Sequence, residues 1–143
     1  KRMQVLLNHL EEIKSKLGLN VEILGASPDA LIPGLEGPRA KCCQNGIYSS
    51  DVILVPLEDG DRCEALVAMG KIVIVVDLNP LSRSAKMGSI TIVDEVSRVA
   101  KNLVTGFDFQ EEKLEFPFDN DINLQLTLKH INEFLSDLSS SVD

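Results

Sequence analysis

Residues 51–95 read DVILVPLEDGDRCEALVAMGKIVIVVDLNPLSRSAKMGSITIVDE, and their pattern decides the fold. Two apolar runs, Val52–Leu57 and Ile72–Leu78, are too rich in β-branched residues to be comfortable as helices. Neither alternates apolar with polar, so each is expected to be buried on both faces, as in a parallel sheet covered by helices. Between them lies a helical pattern with its own signals. Asp61 stands where a cap is needed, Glu64 follows as in a capping box, and Gly70 closes the last turn. Strand, helix and strand form a βαβ unit, whose crossover is expected to be right-handed. A third strand is predicted over Ile90–Val93.

In such sheets ligands bind beyond the carboxyl ends of the strands. Here those ends are polar. The first strand delivers Glu58, Asp59, Gly60, Asp61 and Arg62; the second delivers Asp77, Asn79, Ser82, Arg83, Ser84 and Lys86. The third delivers Asp94 and Glu95. Any function legible in this sequence sits on that edge.

Outward from this centre, Met3, Leu6, Leu7, Leu10, Ile13 and Leu17 repeat at helical spacing, with Gly18 as the terminator. One buried face is expected for that helix, and a short strand for Val21–Gly25. His9 reads as an ordinary, partly packed histidine. From Ala26 to Ser50 the breakers Pro28, Pro33, Gly34, Gly37, Pro38 and Gly46 predict a long loop. Within it Arg39 and Lys41 either reach an anionic ligand or are solvated. After the core, Asn79 is pushed to extended geometry by Pro80, and Ser82 caps a short helix through Met87. Asp94 is expected to cap a helix carrying Val96, Val99, Ala100 and Leu103.

Residues 105–121 read as a surface connection, and 122–138 as a C-terminal helix with the stripe Leu124, Leu128, Ile131, Leu135 and Leu138. That stripe packs on the domain or on a second subunit. His130 lies off it, and the terminal SSSVD reads as frayed. The fold class expected is α/β: a Rossmann-like three-layer sandwich with a mostly parallel sheet, plus the C-terminal helix. Residues 1–143 read as a single α/β nucleotide-binding domain. Because Lys1 is already inside a helical pattern, the chain reads as the C-terminal part of a longer polypeptide.

Composition removes several functions. With 14 basic against 22 acidic residues the net charge is −8, which disfavours a nucleic-acid binder. No run approaches a membrane span and no signal peptide opens the chain, so neither membrane nor secretion is expected. Cys42, Cys43 and Cys63 form no disulfide framework, which fits a reducing cytoplasm. They lack CxxC spacing, so no metal site is assigned. GxGxxG, GxxxxGK[ST] and GxSxG are all missing, against a dinucleotide fold, a P-loop and a serine-hydrolase elbow.

What remains is a mixed acidic and basic edge suited to a nucleotide. Asp77 can accept from ribose hydroxyls or an exocyclic amine, Asn79 can donate and accept, and Arg83 offers a fork for phosphate with Ser84 beside it. Free N–H groups are expected on the helical turn after Asp94. Asp59 and Asp61 would repel phosphates unless magnesium lay between. The plainer alternative makes Asp61 and Asp94 helix caps and pairs Arg83 with a neighbouring carboxylate.

The segments VPLEDGDRCEALVAMGK (55–71) and VDLNPLSRSAKMGSITIVDE (76–95), with IPGLE at Ile32–Glu36, carry a resemblance. Over about Val21 to Leu103 the sequence resembles the archaeal phosphopantothenate synthetases, or 4-phosphopantoate–beta-alanine ligases. The resemblance implies an ATP-dependent, AMP-forming ligase of coenzyme A biosynthesis that joins 4-phosphopantoate to beta-alanine, giving 4'-phosphopantothenate through an acyl-adenylate. It implies ATP and Mg2+, a homodimer and a cytoplasmic location. It implies ATP contacts at Asp77, Leu78, Asn79, Arg83, Ser84, Glu95 and Val96, and assigns no catalytic residue. Family members carry a further N-terminal half with basic groups, so this piece alone is expected to have an incomplete active site. A non-catalytic nucleotide-binding module is the alternative, and an interaction domain built on the C-terminal stripe a third.

Overall fold

A computed structural model describes residues 2–56, 59–106 and 118–140. Leu57 and Glu58 at the end of the first predicted strand, and most of the predicted 105–121 connection, lie outside the described residues. In chain order the elements are α1 (Arg2–Leu17), β1 (Ala30–Leu31), β2 (Lys41–Cys42), β3 (Val52–Val55), α2 (Gly60–Ala68) and β4 (Ile72–Val76). They continue with α3 (Arg83–Met87), β5 (Ile90–Ile92), α4 (Val96–Gly106) and α5 (Asn120–Ser140). No helix among the described residues is long and apolar enough to cross a membrane. The chain divides into two compact units, Lys1–Ser50 and Asp51–Asp143.

In the first unit α1 ends as its sequence predicts. Gly18 takes φ +61°, and Leu19 N–H donates to Lys14 C=O at 3.0 Å, the six-to-one bond that satisfies a terminal carbonyl. Two expectations are corrected here. The apolar stripe of α1 is not buried: Met3, Leu6, Leu10, Ile13 and Leu17 are all exposed. Val21–Gly25 forms no strand, since it finds no ladder partner among the described residues.

The predicted loop from Ala26 to Ser50 is folded. β1 and β2 pair antiparallel with Ala30 opposite Cys42 and Leu31 opposite Lys41. Asp29 N–H donates to Cys42 C=O at 3.1 Å and Ile32 N–H to Ala40 C=O at 2.7 Å, bracketing a 3-10 turn at Gly37–Ala40. Ile32, Ala40 and Cys42 are buried beneath it. Breakers shape this ribbon because its turns need them, while its backbone groups are still paired.

The second unit holds a parallel sheet in the order β3-β4-β5, with Val52 opposite Ile72 and Ile74 opposite Ile90. It is an α/β unit, as the βαβ pattern predicts. β4 is central, and Val73, Val75 and Val76 are buried. β3 departs from expectation. As an edge strand it leaves Val52 52% and Leu54 49% exposed, so it is not buried on both faces.

α2 lies against β4 and α3 and buries Cys63 and Leu66 completely; Leu66 alone stabilises by about 2 kcal/mol through apolar burial. α2 ends on Gly70 at φ +80°, with Lys71 N–H donating back to Leu66 C=O at 3.3 Å. Gly88 is where the chain comes too close to β4 for a side chain. A Cβ there would stand 2.7 Å from Val75 Cγ2.

α5 is docked by its first turns. Asn120 Nδ2 donates to Ala85 C=O and Gly88 C=O at 2.9 and 3.0 Å, and Asn123 Nδ2 to Thr91 C=O at 2.9 Å. Leu124 is buried there, whereas Ile131, Leu135 and Leu138 further along the predicted stripe are exposed.

Candidate functional site

Parallel strands end on the same side, so β3, β4 and β5 deliver their following residues to one edge. There the structure opens a cleft of about 470 Å³. Pro56 and Asp59 line it from the end of β3, Val75 to Leu78 from β4, Ser84 from α3, and Asp94, Glu95 and Val96 from the β5–α4 turn. Of the predicted contacts, Asp77, Leu78, Ser84, Glu95 and Val96 are brought together around it, while Asn79 and Arg83 do not line it. Pro56, Asp59 and Asp94 line it without having been among the predicted contacts. Asp59 had a signal: it directly precedes the Gly60 that opens a helix.

The turn after β4 is built by its own side chains. Asp77 Oδ1 accepts from Asn79 N–H at 2.9 Å, and Asn79 Oδ1 accepts from Leu81 N–H at 3.0 Å. Such short-range bonds are what Asx residues provide in turns. Ser82 Oγ donates to Asp77 Oδ2 at 2.5 Å and accepts from Ala85 N–H at 3.0 Å. Ser82 is therefore the cap of α3, as predicted, and also ties that helix to the end of β4.

Two predicted caps are displaced. Asp59, not Asp61, caps α2: its Oδ1 accepts from Arg62 N–H at 3.1 Å, and its own backbone is still extended. The helix thus starts earlier than expected, and Asp61 faces sideways from its first turn. At α4 the cap is Glu95 rather than Asp94. Glu95 Oε1 accepts from Ser97 N–H at 3.0 Å, and Oε2 from Arg98 N–H at 3.1 Å and from the Ser97 hydroxyl. Asp94 Oδ1 instead accepts from Glu95 N–H at 2.7 Å and pairs with Arg98 Nε at 2.9 Å.

Of the N–H groups expected to be open for an anion, those of Glu95, Ser97 and Arg98 are therefore already occupied by carboxylates. The Ser97 hydroxyl, then the N–H groups of Ser97 and Arg98, hold the Glu95 carboxyl below its usual range.

Arg83 is engaged too. Its Nη1 pairs with Asp61 Oδ1 at 2.5 Å and its Nη2 with Glu64 Oε2 at 2.7 Å. The hydrogen bond to Glu64, then the charge of Asp61, raise its already high pKa. Its stem crosses Gly60, where a Cβ would stand 2.3 Å from Arg83 Cγ. Glu64 is thus no capping-box partner, and the ion pair offered as the plainer alternative for Arg83 is what the structure contains.

Arg39 and Lys41 are exposed in the first unit, on the 3-10 turn and on β2. His9 and His130 are exposed on α1 and α5. Among the described residues no three His, Cys, Asp or Glu side chains gather as a metal site. Among the described residues the carboxylates do not form a magnesium cage, since Asp59, Asp77, Asp94 and Glu95 are each engaged in capping or turn bonds. All three cysteines are in the thiol form, with Cys42 and Cys63 buried.

The cleft, partly apolar and partly acidic, lies at the carboxyl edge of a parallel sheet, the place where α/β folds of this class take their ligands. More narrowly, the chain belongs to the phosphopantothenate/pantothenate synthetase family, whose sequence profile matches residues 1–134. It is 48% identical over 136 residues to the 4-phosphopantoate–beta-alanine ligase of Thermococcus kodakarensis, covering 90% of this chain and 52% of that one. The ligase of the same name from Thermococcus onnurineus is 44% identical over 139 residues, with coverage of 90% and 52%. That of Methanosarcina mazei is 43% identical over 126 residues, with coverage of 83% and 49%. The chain spans about half the length of these curated relatives. The family expected from the PLEDGDR and DLNPLSR segments is the family found.

Proposed function

We propose that the intact protein is an ATP-dependent ligase joining 4-phosphopantoate to beta-alanine, and that this chain supplies its nucleotide-binding part within a Rossmann-like three-layer α/β fold. What supports the reading is the meeting of Asp77, Leu78, Ser84, Glu95 and Val96 around one cleft, in a chain whose relatives carry that ligase name. In the proposed reaction the 4-phosphopantoate carboxylate attacks the α-phosphorus of ATP and pyrophosphate leaves. The beta-alanine amine then attacks the acyl carbon, the bond to AMP breaks, and 4'-phosphopantothenate forms.

The cleft supplies positioning rather than covalent chemistry. Val75, Val76, Leu78 and Val96 give an apolar wall for a base. The carboxylates of Asp77 and Glu95 suit hydroxyl or amine donors, and Asn79 follows Asp77 on the turn after β4. With the start of α4 closed by Asp94 and Glu95, phosphates belong at the other end, near Ser84 and Arg83. Magnesium accompanies triphosphates through one or two carboxylates and the phosphate oxygens, which needs no protein cage.

Two copies pair into a homodimer in this reading, supported by exposed apolar residues such as Leu6 on α1 and Phe134 on α5. Cysteines in the thiol form and ATP chemistry favour the cytoplasm. The test is incubation of the intact protein with ATP, 4-phosphopantoate and beta-alanine. AMP should form only when all three are present; ATP binding without AMP would make the protein a nucleotide-binding module instead. Residues 1–143 alone should turn over little.

A further inference from the structure

We propose that Asp61 and Glu64 hold Arg83 in reserve: before nucleotide binds they keep its guanidinium folded onto α2 across Gly60, and an arriving phosphate takes it from them. This rests on the reading of the cleft as a nucleotide site. It gives a role to Asp61 of PLEDGDR, which neither caps α2 nor lines the cleft.

Four observations carry it. Asp61 and Glu64 stand three apart on α2, hence on one face of that helix, and each takes a different nitrogen of the guanidinium, at 2.5 and 2.7 Å. Gly60 makes the path possible, because a Cβ there would lie 2.3, 2.7 and 2.9 Å from the Arg83 Cγ, Cβ and Cδ. Arg83 does not line the cleft although its neighbour Ser84 does. Finally, the three side chains are 60%, 42% and 56% exposed, so the pairs form in water-like surroundings.

Pairs of that kind are weak and exchangeable. A triphosphate offers several charged oxygens, pairs of which the planar guanidinium fork can take together, and can displace them. The two carboxylates therefore set affinity: the nucleotide must compete for the arginine. They are positioning residues for Arg83, not catalytic ones.

The experiment is ATP titration by calorimetry on the intact protein, comparing wild type, Arg83→Ala, the double variant Asp61→Asn/Glu64→Gln, and the triple variant. Thermal melts verify that each is folded. Arg83→Ala should weaken binding. Removing both carboxylates should tighten ATP about fivefold, the product of two weak exposed pairs. In the Arg83→Ala background the same removal should have no measurable effect, because no arginine remains to be released.

If Arg83→Ala leaves ATP affinity unchanged, the assignment of Arg83 to the nucleotide fails and this proposal falls with it. If Arg83→Ala weakens binding but the double variant binds equally or less tightly, only the holding role is overturned. Tightening that persists undiminished without Arg83 would be a general charge effect, and would also overturn it.

Discussion

Replacing Ser82 by alanine tests how the cleft is held open, because one hydroxyl serves two elements. Ser82 Oγ accepts from Ala85 N–H at 3.0 Å, capping α3, and donates to Asp77 Oδ2 at 2.5 Å, fastening that helix to the end of β4. Loss of an N-cap of this kind costs about 1 kcal/mol. The second bond is charge-assisted but only partly buried, so its removal adds about 1 kcal/mol rather than the larger figure for a fully buried pair. Ser82→Ala should thus destabilise the intact protein by about 2 kcal/mol. For a chain of the relatives' size that corresponds to a fall in melting temperature of roughly 4–8 °C. Guanidinium unfolding gives the free energy directly, and Ser82→Thr, which keeps the hydroxyl, should recover most of the loss. ATP affinity should fall in parallel, because Asp77 and Ser84 flank the altered turn. An alanine variant within about 0.3 kcal/mol of wild type, well under the typical cost of a lost cap, would refute the account of that turn.

Three further perturbations probe the frame and the rim. Leu66→Ala removes a side chain 1% exposed under α2 and should cost about 2–5 kcal/mol in chemical unfolding; a loss under 1 kcal/mol would mean α2 is poorly packed. Gly88→Ala places a methyl 2.7 Å from Val75 Cγ2 and should destabilise by about 1–3 kcal/mol, whereas Gly106→Ala, with open space around it, should not. Glu95 has its carboxyl pKa lowered by the fold, so its contribution is fully present above the ordinary carboxylate range and is lost as pH falls through the depressed value. The melting-temperature gap between wild type and Glu95→Gln should therefore be widest near neutrality and close on acidification. A gap that widened in acid would contradict the capping role.

By itself the sequence determined what depends on neighbours along the chain. The β-branched runs at Val52 and Ile72 are strands, Gly18 and Gly70 end helices at positive φ, and Ser82 caps α3, each through contacts within a turn or two. The family was legible in the same way, from contiguous segments.

Competition among adjacent groups was not. The residue pattern points to Asp61 and Asp94 as caps, whereas the backbone is still extended at Asp59 and the Glu95 carboxylate takes the Ser97 N–H, so Asp59 and Glu95 fill those positions. The ribbon of β1 and β2 escaped because its ladder joins residues on either side of its breakers. Arg83 meets Glu64 across a separation of 19 residues, through two helices packed side by side. Whether that arginine faces the cleft or lies over Gly60 is a matter of packing and missing side-chain volume, which tertiary structure alone decides.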